Sequence, residues 1–414
     1  MSLAERLAPR LTSSLLLLSL AFFADPHVVG IYNWGILVFT LFQAVTDAPI
    51  RQVIIVAISS RRGLRFLSRY RVLVPVFGFV SILSCCLVLN LTLPRESAGQ
   101  AWTLLPIAFA PLFTAAGVES VGRLQRAHKW RILATGQLVA ATASLAIAVP
   151  VLVLFRSPLG CSLGLLATEV GFALWCRVQA RRSFTELPLQ RSGRIRPLFQ
   201  GMAAYSGLAW TQGQADRVLI GAFSGPSNLG IFSMAIALAR SLGDAMAASN
   251  ANVLRSELSD LTVDQVNQTR ERATRVLNRG VLLATCGAVL SVALTQILVA
   301  PLLGPEWAPS TEVVPILALC TVPSMLSWSS AVLHVARRTS TRALVAPIVG
   351  ILFAVPIALL AITDLPAAAW AVLAREVTLT SIGYGLIGRA APWKSYLFGM
   401  VLVAVGSIYL LAII

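Results

Sequence analysis

Phe23-Ala-Asp-Pro26-His-Val-Val-Gly30-Ile31-Tyr32 returns two hundred residues later as Phe223-Ser-Gly-Pro226-Ser-Asn-Leu-Gly230-Ile231-Phe232. Phe, Pro, Gly and Ile coincide, and an aromatic ring follows in both copies. Each copy lies between two long apolar runs. Pro and Gly suit a tight turn between helices, and the second glycine lets neighbouring helices approach closely. A further correspondence occurs at an offset of 211: Arg126, Arg131 and Leu133 match Arg337, Arg342 and Leu344, again in short basic loops between apolar runs. The chain reads as a duplicated unit of about 200 residues.

The runs that flank these turns dominate the composition. Of 414 residues, 57% are hydrophobic and 12% charged, where a soluble domain carries roughly 25% charge. Mean hydropathy is +0.79. These values exclude a large soluble globule, a disordered tail protein and a disulfide scaffold. The 33 Lys+Arg against 17 Asp+Glu would suit a nucleic-acid binder, but such a protein needs a water-soluble framework that is missing here. The fold class is all-α, a polytopic helical membrane protein.

A membrane-spanning helix needs about 20 mostly apolar residues. Windows of that length give thirteen segments, near 3–24, 28–49, 72–92, 101–122, 132–154, 158–176, 200–222, 228–250, 280–300, 312–334, 343–362, 366–387 and 395–414. Several are punctuated by proline, such as Pro106 and Pro111 in the fourth and Pro347 and Pro356 in the eleventh. Spanning helices tolerate such breaks when neighbours satisfy the freed backbone groups. A cleaved signal peptide is the rival reading of the first segment, but Ala21-Phe22-Phe23-Ala24 is a poor cleavage site and the repeat includes this region.

Basic residues orient the chain. Loops on one side hold 28 of the 33 Lys and Arg, the other side holds Arg95 and Arg156, and Arg217, Arg240 and Arg375 lie within apolar segments. The positive-inside rule then puts the N-terminus in the cytoplasm, and thirteen crossings put the C-terminus outside. Each repeat has six crossings, so both halves face the same way, which implies a pseudo-twofold axis along the membrane normal. The expected units are a bundle over 1–198, a second over 199–391 and an additional helix over 392–414. The basic stretch from Arg177 to Arg196 is the expected join. Thr262-Val-Asp-Gln265 resembles a capping box opening an amphipathic helix along the inner membrane surface, with Val263, Val266, Ala273 and Val276 on its apolar face.

Six cysteines and three scattered histidines have no metal-ligand spacing, and there is no Gly-rich phosphate loop or zinc motif. No metal, cofactor or resident ATPase is expected.

An ionisable group near the bilayer centre costs at least about 2.5 kcal/mol, so each one calls for an explanation. Helix 7 carries Gln212, Asp216 and Arg217; helix 8 carries Arg240 and Asp244, four apart and able to pair. Helix 2 carries Gln43 and Asp47, helix 12 the adjacent Arg375 and Glu376, helix 6 Glu169, and helix 4 Glu119 at its cytoplasmic end. The functional reading is a polar cavity between the two bundles, lined by helices 1, 2, 7 and 8. There Arg217, Arg240 and Arg375, with Gln43 and Gln212, grip an anionic group, since a planar guanidinium holds phosphate bidentately. Asp47, Asp216, Asp244 and Glu376 orient the arginines or bind a coupling proton. The bland reading has Arg217, Asp47 and Glu119 snorkelling to the interfaces and Arg375–Glu376 as a structural pair.

The stretch from Tyr205 through Ala215-Asp216-Arg217-Val-Leu-Ile-Gly221 to Pro226, Leu229-Gly230-Ile231-Phe232 and Ala235 resembles the seventh-to-eighth helix region of bacterial lipid-linked oligosaccharide (O-antigen and capsule repeat-unit) flippases. These are the polysaccharide transporter family of the multidrug/oligosaccharidyl-lipid/polysaccharide exporter superfamily. Gly30-Ile31-Tyr32 to Asp47, Leu124-Gln-Arg126 and Leu303-Gly304-Pro305-Glu306-Trp307-Ala308-Pro309 add to the likeness, which covers about residues 10–390. The resemblance implies two six-helix bundles around a cationic cavity, and alternating access that moves an undecaprenyl-diphosphate-linked glycan from the inner to the outer leaflet of the bacterial cytoplasmic membrane. The partners it implies are that glycan lipid, membrane lipid and other polysaccharide assembly proteins, with no nucleic acid. Thirteen crossings depart from the twelve or fourteen usual in the family. A drug or cation antiporter of the same superfamily is the second reading, though Arg240 beside Asp244 counts against it. A membrane-embedded glycan polymerase or transferase is the third, disfavoured by short, nearly uncharged outer loops. Transport makes and breaks no bond, so no catalytic residue is expected.

Overall fold

The computed structural model describes residues 2–47, 49–51, 54, 61–93, 99–127, 129–183, 195–258, 265–337, 339 and 341–413. The Thr262 capping box and the middle of the 177–196 join lie outside these residues. Among the described residues there is helix and turn but no strand, and all thirteen apolar segments are helical over their described parts.

The helices are α1 (Ser2–Phe23), α2 (Pro26–Phe42), which passes into a π-helical turn at Gln43–Asp47, α3 (Arg61–Thr92), α4 (Leu105–Arg126), α5 (Trp130–Phe155) and α6 (Leu159–Ser183). A helical stretch over Ile195–Glu257 is broken by non-helical backbone at Gly225, giving α7 (195–224) and α8 (226–257). Then follow α9 (Val266–Leu294), α10 (Ala308–Leu319), α11 (Thr321–Ala336), α12 (Val345–Leu352), α13 (Ala354–Thr363), α14 (Leu365–Ile387) and α15 (Trp393–Ile413). Nine described helices are long and apolar enough to cross a membrane, ten when the bent pair Pro305–Leu319 and Thr321–His334 is one span. That tally takes Phe199–Ala251 as one helix, although Gly225 divides it. It omits α14, whose central Arg375 and Glu376 lower its hydropathy.

The two copies of the repeated turn are made differently. Asp25 caps α2, its carboxylate accepting from the Val28 N–H at 2.9 Å, with Pro26 opening the helix. At the equivalent position Gly225 takes φ 80° and ψ 178° ahead of Pro226, a conformation essentially confined to glycine. Where the sequence predicts an unbroken span over 312–334, the chain bends by 45° between α10 and α11. Pro323 has no N–H for the Leu319 carbonyl, and the Cys320 N–H turns back to Leu317 instead. Val266, Ala273 and Val276 of the amphipathic segment lie in the first part of α9, which runs on continuously from Val266 to Leu294.

The chain divides into two compact units, Met1–Thr211 and Gln212–Ile414. In the first, Leu124, Leu133, Ala140, Phe172 and Cys176 form a buried cluster. Gly117 leaves room for Ala173, and Gly136 for the Trp175 ring, whose Nε1 donates to the Ile132 carbonyl at 2.9 Å. In the second, Phe232, Ala239, Leu317, Met325, Val372 and Tyr384 are among the buried core. α15 packs into this unit. Ser395 donates to Asn278 Oδ1 at 2.6 Å, and Gly399 lies against Leu326. Its outward side, with Leu397, Val401, Val405 and Ile408, is bare. An apolar surface of that kind suits lipid rather than water. The molecule is a multi-pass helical membrane protein.

Candidate functional site

The second unit concentrates charge where four helices meet. α7 supplies Gln212, Asp216 and Arg217; α8 supplies Arg240 and Asp244; α11 supplies Ser324; α14 supplies Arg375, Glu376 and Thr380. The bend between α10 and α11 sets Ser324 near its partners, because Gly243 has no side chain to meet Thr321 as α8 packs there.

Arg375 is the hub. At 1% exposure its Nη1 donates to Asp216 Oδ2 at 2.9 Å and to the Gln212 carbonyl at 3.4 Å, and its Nη2 to Glu376 Oε1 at 3.1 Å. Glu376 in turn accepts from Ser324 Oγ at 3.0 Å, and Ser324 accepts from Arg240 Nη2 at 2.8 Å. Arg240 also lies 3.6 Å from Glu376 and 3.4 Å from Asp244, the latter being the i, i+4 pair expected from the sequence. Thr380 ties the Pro323 carbonyl to α14 at 2.7 Å. A buried charge is tolerable only when paired and hydrogen-bonded; Arg375, Glu376 and Asp216 are paired with one another, although the Arg375 Nε keeps no partner.

Arg217 is different. Asp216 accepts from its backbone N–H at 2.8 Å, yet spends its other oxygen on Arg375. Among the described residues the Arg217 guanidinium has no carboxylate within 4.0 Å; its Nε is buried without a hydrogen-bond partner, as are those of Arg240 and Arg375. Three arginines face three carboxylates, so the cluster is neutral as a whole, but its pairing leaves one guanidinium over.

The first unit holds a separate group. On the π-helical turn after α2, Gln43 Nε2 donates to Glu169 Oε1 on α6 at 3.2 Å, and Thr114 on α4 donates to Glu169 Oε2 at 2.7 Å. Asp47 pairs with Arg51, and Glu119 with Arg123, each across one helical turn. The residues read from the sequence therefore fall into two groups. Asp216, Arg217, Arg240, Asp244, Arg375 and Glu376 gather with the Gln212 carbonyl in one unit; Gln43 and Asp47 lie in the other. Sequence reasoning missed Ser324, Thr114 and Arg51. A serine or threonine in an apolar helix is commonplace and gives no sign of its partner, but Asp47 and Arg51 are four apart and their pairing was readable.

The comparisons with known proteins agree with this architecture. A family model described as "Polysaccharide biosynthesis protein" matches residues 19–312, more than half of the chain. No protein of curated function matches at a significant level. Among solved structures, an inward-facing multidrug resistance MATE family transporter of the MOP superfamily has a TM-score of 0.64 at 12% identity, covering 96% of this chain and 95% of its own. The lipid II flippase MurJ, in an inward closed conformation, has 0.59 at 12%, covering 96% and 90%. A MOP superfamily transporter from Pyrococcus furiosus, described as having a binding pocket of reverse polarity, has 0.54 at 11%, covering 98% and 96%. At these identities the likeness is one of fold. With a family model across most of its length and the helical architecture of MOP transporters, the chain belongs to the polysaccharide biosynthesis protein family.

Proposed function

We propose that the protein is a flippase carrying an undecaprenyl-diphosphate-linked oligosaccharide from the cytoplasmic to the periplasmic leaflet of the bacterial inner membrane by alternating access, with its N-terminus in the cytoplasm. The observation that carries this reading is the unpaired Arg217 guanidinium beside a network that uses up its neighbours. Arg217 is half-buried near Asp216 and Asp244 yet makes no ion pair among the described residues, so its donors can meet an arriving phosphate oxygen. Arg240, held by Asp244 at 3.4 Å, is the second contact, and the Gln212 side chain offers a neutral polar group on the same helix as Arg217. Arg375 acts through others: it fixes Asp216 and Glu376 and so keeps Arg217 unpaired.

Energetics favour a shielded path. A diphosphate with attached sugars stripped of water in hydrocarbon loses its hydrogen bonds, so a laterally open groove carries the head while the lipid tail stays in the bilayer. No bond is made or broken, which needs no catalytic residue. Other polysaccharide assembly proteins would supply and consume the substrate.

The test is a host whose surface glycan depends on this chain. Arg217→Ala is expected to abolish surface glycan at normal protein level, with the lipid-linked precursor accumulating inside. Normal display by the variant would overturn the assignment. Export of cationic drugs in a sensitised strain, with glycan display unaffected by loss of the protein, would favour the antiporter reading instead.

A further inference from the structure

Every carboxylate of the second unit's network has a guanidinium partner, as do Asp47 and Glu119 in the first. Glu169 does not. Its two oxygens meet an amide and a hydroxyl, Gln43 at 3.2 Å and Thr114 at 2.7 Å. Thr114 Oγ1 has another acceptor in reach, the Ala110 carbonyl of its own helix at 3.1 Å. A hydroxyl carries one hydrogen and two lone pairs. With Glu169 ionised, Thr114 gives its hydrogen to the carboxylate. With Glu169 protonated, Thr114 turns that hydrogen to Ala110 and accepts the acid O–H instead, while Gln43 continues to donate to the other oxygen. Both charge states thus keep their hydrogen bonds with no heavy atom displaced. Asp216 and Glu376 lack this freedom, because the groups facing them include guanidiniums, which donate and never accept.

We infer that Glu169 is the exchangeable proton site of the first unit, taking its proton from water and returning it there. This rests on the transport reading above and names the coupling group within it. The charged groups that face Glu169 come from the segment after α2: Asp47 and Arg51, already committed to each other. α4 turns Thr114 to it and carries the Glu119–Arg123 pair further along. α5 has no charged residue after Arg131, α1 none after Arg10, and the turn over Gly99–Leu104 none at all. Glu169 is half-buried rather than sealed in the core of its unit. A metal ion fits poorly, since both neighbours direct hydrogens at the carboxylate and no group of three acidic, His or Cys side chains is gathered among the described residues. The contact with Gln43, first residue of the π-helical turn, links the charge of Glu169 to α2. Turns of that kind recur at functional sites.

The experiment is infrared difference spectroscopy of the full chain in lipid vesicles across a pH titration, without substrate. The other carboxyls of the chain absorb too, so the Glu169 band is read as the difference between wild type and Glu169→Gln: a pH-dependent carboxylic-acid C=O component is expected in that difference and is retained in Asp47→Asn. Thr114→Val is expected to keep the component at a shifted frequency, because the acid loses its hydroxyl partner, and Thr114→Ser to restore the frequency. No pH-dependent component in the difference, or one that depends on sodium rather than pH, overturns the assignment. Should Glu169→Gln fail to fold, the Thr114 pair still decides: a band indifferent to both substitutions overturns it. In a second arm, vesicle transport of lipid-linked glycan driven by an imposed pH gradient is expected to lose its dependence on the gradient in Glu169→Gln. If the vesicles carry no glycan lipid at all, the transport reading falls while the spectroscopic result on Glu169 is untouched.

Discussion

The Arg375 guanidinium lies 2.9 Å from the Asp216 carboxylate, joining α14 to α7 across 159 positions of sequence, and both side chains are almost fully enclosed. Removing one partner of such a pair leaves a buried charge uncompensated, a loss of about 3–5 kcal/mol. Arg375→Ala is therefore expected to lower thermal stability and membrane abundance sharply. Arg217→Ala, which breaks no ion pair among the described residues, is expected to stay near wild-type stability, within about 0.5 kcal/mol as for substitutions away from such features. Thermal unfolding of both variants in the same detergent separates the residue that holds the cluster from the one proposed to meet the ligand.

Affinity gives the complementary measurement. A hydrogen bond to a charged group contributes about 1.5–3 kcal/mol, so Arg217→Ala is expected to weaken binding of a polyprenyl diphosphate roughly 10- to 150-fold. Titration of the ligand into protein held in lipid discs reads this directly. Arg217→Lys should recover part of the loss, since it restores the charge without the planar fork.

Gly243 makes the approach of α8 to the α10–α11 bend possible. A Cβ there would overlap Thr321 Cγ2 and crowd its Oγ1. Gly243→Ala is expected to cost about 1–3 kcal/mol through overpacking. Thr321→Ala deletes the two atoms in the way, so the double variant should regain most of the loss, and a double-mutant cycle in thermal stability measures that coupling.

The corner at Gly225 yields another contrast. Its φ of 80° is a strained conformation for any other residue, worth of the order of 1–3 kcal/mol. Gly225→Ala should lose that much. Asp25→Ala, at the equivalent corner, gives up a helix cap worth about 0.5–2 kcal/mol. Chemical denaturation in mixed micelles compares the two.

The membrane class and the thirteen helical segments are legible in the sequence because twenty-residue apolar runs leave little choice of structure, and because Pro and Gly mark the corners. The acidic and basic residues of the second unit are legible for a related reason: charge in hydrocarbon demands a partner, so Asp216, Arg217, Arg240, Asp244, Arg375 and Glu376 announce themselves. Who pairs with whom is not legible. Asp216 and Arg217 are neighbours in sequence, yet the acid turns to Arg375, a choice set by packing of helices far apart in the chain. Ser324 and Thr114 are invisible for the opposite reason. Hydroxyls sit in apolar helices at small cost by bonding their own backbone, so their presence carries no message until the tertiary contact is known.

The neutral ion-pair cluster also bears on how the chain is made. A helix with Arg375 and Glu376 at its centre is a poor candidate for insertion on its own, each such charge costing about 2.5–3.5 kcal/mol on insertion scales. Asp216, the partner that offsets this, resides on a helix synthesised long before α14 emerges. The late helix therefore enters a bilayer in which its counter-charge is already waiting, and the order of synthesis becomes part of the stability of the assembled protein. A circular permutation that places α14 ahead of α7 would reverse that order and deprive the arginine of its partner at the moment of insertion.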